Sequence, residues 1–187
     1  MYLGLDLGTS GLRAILTDET GAVQAEAEAA FSATHPHPGW SEQDPADWIA
    51  ACKATVAEIR TKDPVAFARL KGIGLSGHMH GATLIDAADT VLRPCILWND
   101  TRSHAEAGAL DSDPLFRELT GKVVFPGFTA PKVAWLRTHE PAAFANIATV
   151  LLPKDYLRLW LTGERVSEMS DAAGTAWLDM QKRDWSE

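Results

Sequence analysis

The first thirty residues alternate between apolar and polar positions with a period of two. One such run covers residues 1–9 and breaks at Gly8, and a second covers 12–18. A third run, over 22–30, follows a turn signal at Gly21. A period of two is typical of half-buried β-strands, because successive side chains point to opposite faces of a sheet. The pattern therefore predicts an antiparallel meander of three strands.

The periodicity then changes to that of an amphipathic helix. Asp44 is suited to the N-cap, and Pro45 to the first helical position, where its missing N–H costs nothing. Apolar residues from Trp48 to Ile59 recur at helical spacing and give one apolar face. These signals predict a helix over 45–62.

Strand and helix patterns alternate through the rest of the chain. The predicted strands cover 71–76, 91–98 and 149–152, and the predicted helices cover 65–70, 105–110, 131–138 and 153–161. Trp48, Trp135 and Trp160 lie on apolar helix faces, so we expect all three in the core. A meander followed by alternating helices and strands is typical of an α/β fold with a mixed β-sheet flanked by helices.

Composition and charge narrow the classes of partner. Of 187 residues, 46% are hydrophobic and 22% charged, which suits an ordinary packed core, and the net charge is -8. With no dense Lys/Arg stripe, this balance disfavours nucleic acid and anionic membrane as partners. No leader precedes Leu3 and no apolar run is long enough for a membrane span, so we expect a cytoplasmic protein. Cys52 and Cys95 are too far apart for a CxxC metal site and are expected to be buried thiols.

A short segment between the first two predicted strands has the chemistry of a phosphate-binding loop. The turn holds Gly8, Thr9 and Ser10, with Asp6 before it and Arg13 after it. Small residues let backbone N–H groups approach phosphate oxygens, and hydroxyls and a guanidinium can donate to them. Asp6 would then hold Mg²⁺, usually through water. On spacing alone, a plain β-hairpin with an exposed Arg13 remains an equal alternative.

Two other glycine patterns do not add to this reading. The sequence contains no GxxxxGK[ST], so a P-loop kinase is excluded. Residues 72–77 fit GxGxxG, but they lie inside a strand pattern and lead to another strand, whereas a dinucleotide site needs a helix there.

The segment Asp6–Arg13 resembles the first phosphate loop of the actin-like, ribonuclease-H-like ATPase fold. Further segments, in the same order along the chain, resemble motifs of the FGGY family of carbohydrate kinases, which includes the xylulokinases. They are residues 36–45, 77–83, 93–102, 126–132, 152–157 and 170–175. Together these segments extend the resemblance over essentially the whole chain.

This resemblance implies a fold and an activity. It implies that residues 1–187 are the amino-terminal carbohydrate kinase domain, and that the catalytic base and most of the adenine pocket lie in a second domain outside this chain. The implied reaction is ATP-dependent phosphorylation of D-xylulose to D-xylulose 5-phosphate, with ATP and Mg²⁺. A kinase for another ketose or polyol, or a non-catalytic actin-like nucleotide-binding module, remains an alternative. The apolar surface that would face the missing domain is expected to be exposed. A homodimer formed through this surface is therefore one alternative.

The resemblance also implies roles for individual residues. Asp6 belongs to the phosphate–Mg²⁺ loop and matters for activity, with Gly8, Thr9, Ser10 and Arg13 around the nucleotide phosphates. The implied sugar-site residues are Met79, His80, Trp98, Asn99, Asp100, Arg102 and Asp171. Because a phosphoryl donor and its acceptor must meet, we expect Asp6, His80 and Trp98 in one cleft. For His78 the choice between a solvated loop residue and a ligand contact stays open.

Overall fold

The computed structural model describes residues 1–186, which form strands and helices in alternation. The strands are β1 Tyr2–Leu7, β2 Gly11–Thr17, β3 Val23–Ala30, β4 Glu42–Gln43, β5 Gly72–Gly77, β6 Thr83–Ile85, β7 Cys95–Ile96, β8 Thr149–Leu151, β9 Leu178–Asp179 and β10 Asp184–Trp185. The helices are α1 Pro45–Lys62, α2 Pro64–Phe67, α3 His104–Asp111, α4 Pro114–Thr120, α5 Thr129–His139, α6 Pro141–Ala145, α7 Pro153–Thr162 and α8 Met169–Ala172. A 3₁₀ turn follows at Ala173–Thr175.

The main sheet has the strand order β3-β2-β1-β5 and is mixed. The first three strands form the predicted antiparallel meander, in which Asp6 lies opposite Arg13. Strand β5 pairs with β1 in parallel, with Asp6 opposite Ser76. Along β1 the buried leucines alternate with exposed residues, so Leu5 and Leu7 enter the core while Asp6 lies on the opposite face.

Helix α1 covers the core face of this sheet, as predicted. The Asp44 carboxylate accepts a hydrogen bond of 2.9 Å from the Ala46 N–H and caps the helix. Trp48, Cys52 and Ile59 are buried against the leucines of β1 and β2. The helical period and the cap together fixed this element at its predicted limits, 45–62.

Smaller two-stranded units accompany the main sheet. Strand β6 pairs with β8, and β4 pairs with β7, both antiparallel. Behind them, Trp135 and Leu136 of α5 pack with Leu84 and Ile96 in a separate apolar cluster. No helix within residues 1–186 combines the length and the hydropathy needed to cross a membrane.

One predicted strand is wrong, and one observed strand was missed. Residues 91–98 do not form one strand: Val91 makes a single bridge, and only Cys95–Ile96 pairs as a strand, because Pro94 has no N–H to donate. Strand β6, by contrast, was not predicted. All three of its residues are buried, so the sequence shows no alternation there.

Among the tryptophans, Trp48 and Trp135 are buried as predicted, whereas Trp160 is 42% exposed, so its predicted core position is wrong. Its ring lies beneath the Lys53 ammonium, 5.4 Å from the ring centre. Trp160 and Ile73 line one shallow hollow beside β5. Among residues 1–186, β5 ends the sheet, and no further strand covers this side.

Candidate functional site

The predicted phosphate loop is the tight turn between β1 and β2. The Gly8 N–H donates to the Gly11 carbonyl at 2.9 Å and closes the turn. A Cβ atom at Gly11 would lie 2.8 Å from the Ala29 carbonyl oxygen, so only glycine lets the chain pass β3 here. Thr9 and Ser10 form the tip, and Ser10 is exposed.

Gln43 fixes this tip to the rest of the domain. Its amide nitrogen donates to the Thr9 carbonyl at 2.6 Å, and its amide oxygen accepts from the Trp48 indole N–H at 3.0 Å. Gln43 is itself buried. The loop is therefore tied to α1 by a side chain that our sequence reasoning did not single out, although it lies in a motif that resembles the family.

Asp6 and Arg13 are cross-strand neighbours on the open face of the sheet. Arg13 donates to the Glu26 carboxylate of β3 at 2.6 Å, and both side chains are more than half exposed. Within residues 1–186, no group of three His, Cys, Asp or Glu side chains is arranged to hold a metal ion. Asp6 therefore fits only the kind of site in which one carboxylate, water and phosphate oxygens surround Mg²⁺.

The loop after β5 carries the predicted sugar contacts. The His78 N–H donates to the Leu7 carbonyl at 2.8 Å, which brings this loop beside the end of β1. Met79 is 43% exposed. His80 has a left-handed backbone, with φ 65°, and its carbonyl accepts hydrogen bonds of 3.0 Å from Thr129 and from Lys132.

The His80 ring is held in one orientation. Its Nδ1 lies 3.1 Å from the Gly174 carbonyl, which can only accept, so Nδ1 carries the hydrogen and Nε2 is left as an acceptor. The ring also packs edge-on against Phe128, with 5.0 Å between centroids. Burial and the nearby Lys132 charge lower the pKa of His80 to about 4, so the ring is neutral at pH 7.

Trp98 connects the two predicted loops. Its indole N–H donates to the Thr9 hydroxyl at 3.1 Å, and its side chain is partly exposed. The Trp98 carbonyl lies against Gly127, where a Cβ atom would approach it to 2.8 Å. Gly127 directly precedes Phe128, which contacts His80. These contacts link the phosphate-loop tip, Trp98 and the His80 loop, whereas the expectation that Asp6, His80 and Trp98 share one cleft stays a prediction.

Asp100 and Arg102 are buried behind Trp98, whereas the resemblance implied that they lie at the sugar. Asp100 accepts from the Ser41 N–H at 2.6 Å and pairs with Arg102 at 2.7 Å. The Arg102 guanidinium lies 3.6 Å above the Trp40 ring and pairs with Glu42 at 2.7 Å. Both side chains are at most 1% exposed, so they shape the loop from within. Asn99, between them and Trp98, is exposed.

Asp171 belongs to the short helix α8, which leads into the turn that contacts the His80 ring. It pairs with Lys154 at 2.8 Å, and Gly174, three residues later, contacts His80 directly. Burial raises the pKa of Asp171 above its usual value, against the opposing effect of Lys154. Lys154 in turn packs on Gly77 at the end of β5. Asp171 is therefore near the predicted pocket but engaged by a cation.

Several residues around His80 were missed by sequence reasoning. They are Thr129, Lys132, Phe125 and Phe128. One segment of the resemblance, 126–132, contains three of them. A usable signal was the lysine at 132, which interrupts the apolar face of a predicted helix.

The fold and the arrangement of these loops define the class of protein. A three-stranded meander, a parallel fourth strand and a glycine turn at the strand ends constitute the first half of an actin-like ATPase fold, in the form found in sugar kinase structures. The sequence model of the FGGY family of carbohydrate kinases, N-terminal domain, matches residues 1–187. The chain belongs to this family.

Individual relatives agree with this assignment. The chain is 50% identical to the xylulose kinase of Klebsiella pneumoniae and 51% identical to that of Escherichia coli K12, in each case over 100% of this chain and 38% of the relative. Among solved structures, a "xyloylose kinase" from Brucella ovis matches with a TM-score of 0.98 and 61% identity, over 99% of this chain and 39% of that one. The chain thus spans less than half the length of these relatives.

Proposed function

We propose that the full-length protein transfers the terminal phosphoryl group of ATP to D-xylulose, giving D-xylulose 5-phosphate. The observation that carries the proposal is the hydrogen bond from Trp98 to Thr9. The bond joins Thr9 at the tip of the turn to Trp98, which would be the floor of the sugar pocket. It supports the proposal because phosphoryl transfer requires donor and acceptor within a few ångström. The identities of 50% and 51% to xylulose kinases support the choice of sugar.

On the nucleotide side, the chain offers positioning and charge neutralisation. Backbone N–H groups of the Gly8–Ser10 turn and the hydroxyls of Thr9 and Ser10 would donate to phosphate oxygens. The Thr9 oxygen accepts from Trp98, so its own hydrogen remains free for a phosphate. Asp6 would hold Mg²⁺ through water, and the ion would neutralise charge on the transferred group. Arg13 would add a guanidinium on the same sheet face.

On the sugar side, the chain offers a few fixed groups around an aromatic surface. Nε2 of His80 is an acceptor for a ketose hydroxyl, because Nδ1 is committed to Gly174. Trp98 and the exposed Met79 and Asn99 would complete the contacts. Asp171 would act at the rim, and Asp100 and Arg102 would hold the Trp98 loop in place.

The remaining length of the protein has its own part in this proposal. The chain covers 38% of its curated relatives, so we propose that a second domain supplies the catalytic aspartate and most of the adenine pocket. Closure of two domains would exclude water that otherwise hydrolyses ATP. We further propose that the enzyme is cytoplasmic, and a homodimer remains one alternative for its oligomeric state.

The decisive experiment is a phosphorylation panel on the full-length gene product. Purified protein is incubated with Mg²⁺–ATP and a series of ketoses and polyols, and ADP release is measured by a coupled assay. We expect D-xylulose to give the highest kcat/KM. A higher value for another ketose or polyol would replace the substrate, and ATP binding without turnover on any sugar would favour a non-catalytic nucleotide-binding module.

A variant at His80 tests the sugar site in the same assay. His80→Ala removes the Nε2 acceptor, so KM for D-xylulose should rise by on the order of tenfold while KM for ATP stays nearly unchanged. An equal loss for both substrates would indicate that His80 acts only in folding.

A further inference from the structure

Lys132 is a lysine with no exposed surface, and its environment is unusual for a cation. Its side chain is 0% exposed, in the first turn of helix α5. The ammonium donates to the His80 carbonyl at 3.0 Å and to the Gly127 carbonyl at 2.5 Å. No carboxylate of residues 1–186 forms an ion pair with it, so its partners are backbone oxygens.

Burying an unpaired cation costs free energy, so an apolar residue would suit helix α5 better if packing were the only requirement. Burial lowers the pKa of Lys132 to about 7. The amine donates to the same two carbonyls in either protonation state. The benefit of Lys132 to the structure is therefore the link that its two hydrogen bonds make between the two carbonyl groups.

The two carbonyls belong to different loops of the candidate site. One is the carbonyl of His80. The left-handed backbone of this residue costs conformational free energy, because His80 is not a glycine. The other is that of Gly127, which lies between Trp98 and Phe128. A single Nζ atom therefore spans the loop that bears Met79 and His80 and the loop that supports Trp98.

We infer that Lys132, assisted by Thr129, is a positioning residue that holds the His80 loop in its left-handed conformation and sets the spacing of the two sugar loops. Thr129 donates to the same His80 oxygen at 3.0 Å. The inference rests on the proposed function, because it assigns the lysine to the sugar half of that site. Lys132 acts through His80 and does not itself contact the sugar.

The test compares three variants of the full-length protein. Lys132→Met keeps the length and removes the donor, Thr129→Val removes the second donor, and Lys182→Met is the matched control, since Lys182 is 73% exposed. We expect Lys132→Met to raise KM for D-xylulose by on the order of tenfold to a hundredfold, with KM for ATP unchanged and kcat within about threefold. Thr129→Val should give a smaller rise in the same KM, and Lys182→Met none.

Amide hydrogen exchange gives a second measurement that needs no activity. The N–H groups of Gly81, Ala82 and Phe128 are hydrogen bonded within or beside the two loops. Lys132→Met should speed their exchange about tenfold relative to the amides of β1, because the loops open locally while the sheet does not.

The two measurements separate the possible failures. If wild-type protein phosphorylates no sugar, the proposed function fails, and the exchange rates still decide whether Lys132 holds the loops. Unchanged exchange overturns the inference. Faster exchange with an unchanged KM for D-xylulose, or with equal rises in both KM values, also overturns it, because the lysine would then serve stability alone.

Discussion

His78 and His80 are two residues apart, yet they lie in different surroundings. His80 donates to the Gly174 carbonyl and presents one nitrogen to the loop cluster. His78 is 8% exposed, its ring packs edge-on against Trp48 at 5.6 Å, and neither ring nitrogen has a partner among residues 1–186. The solvated loop position that the sequence left open for His78 is therefore wrong.

The burial of His78 leads to a prediction about acid stability. Burial and the Lys132 charge lower the pKa of His78 to about 4, whereas an unfolded histidine titrates near 6.5. Between pH 4 and 6.5 the unfolded chain binds more protons at this position than the folded protein does. The contribution of His78 to the free energy of unfolding is therefore complete above pH 6.5 and is lost as the pH falls towards 4. His78→Gln should reduce the loss of unfolding free energy between pH 7 and 4.5 by about 2 kcal/mol.

This prediction is checked by urea titration at several pH values. His104→Gln is the control, because it makes the same replacement at an exposed histidine. An identical pH dependence for His78→Gln and wild type would mean that His78 is charged and solvated in the folded protein.

At Asp6, a change of charge without a change of size tests the proposed metal role. Asp6→Asn in the full-length protein removes the carboxylate that would anchor Mg²⁺, so kcat should fall by on the order of a hundredfold or more. Binding of D-xylulose without nucleotide, measured by calorimetry, should persist. Near-normal turnover at saturating Mg²⁺–ATP would remove Asp6 from the mechanism.

At the scale of elements, the loop after β7 is shaped by buried charges. Arg102 pairs with Asp100 and Glu42 and stacks on Trp40, and Arg93 pairs with Glu42 from the other side. These contacts tie the segment before α1 to the loop that carries Trp98. Trp98, the proposed sugar floor, lies on an irregular loop that no strand ladder holds, so these contacts fix its position.

Removal of Arg102 should therefore cost more than removal of a surface arginine. Arg102→Met leaves buried Asp100 and Glu42 with fewer partners, and we expect a loss of about 3 kcal/mol in unfolding free energy. Arg165→Met is the control: its pair with Asp89 is 40–47% exposed, so the melting temperature should hardly change. Equal melting temperatures for both variants would show that the buried network contributes little.

At the scale of the whole molecule, apolar side chains remain exposed along one edge. They are Ile73 of β5, the edge strand of the main sheet, and Trp160 and Leu161 of α7, which line the same hollow. An exposed strand edge with apolar neighbours is a site where another segment or chain can associate. This surface is where our prediction for Trp160 failed.

Residues 1–187 expressed alone should fold and yet be a poor sugar binder. Under the proposed function, few groups of this chain would reach a sugar. They would not offset the loss of translational freedom, so affinity for D-xylulose should be millimolar or weaker. Calorimetry with D-xylulose and with Mg²⁺–ATP measures this, and sedimentation measures self-association. Measurable xylulose phosphorylation by this chain would place the catalytic base within it, contrary to our proposal.

The sequence by itself determined the elements whose signals are local. The meander, the Asp44 cap and the limits of α1 follow from periodicity and from interactions between near neighbours. The turn between β1 and β2 follows from its glycines in the same way. The collinear motifs likewise indicated the family, which the match over residues 1–187 confirms.

Only the tertiary structure decided which polar groups face the site and which are consumed within the fold. Asp100 and Arg102 have the residue types of ligand contacts, yet a buried network uses them. Lys132 is of a residue type usually found at the surface, yet its side chain is 0% exposed and joins two loops. The physical reason is that burial and hydrogen bonding depend on partners distant in the chain: 52 positions separate Lys132 from His80, and local periodicity carries no information on such pairs.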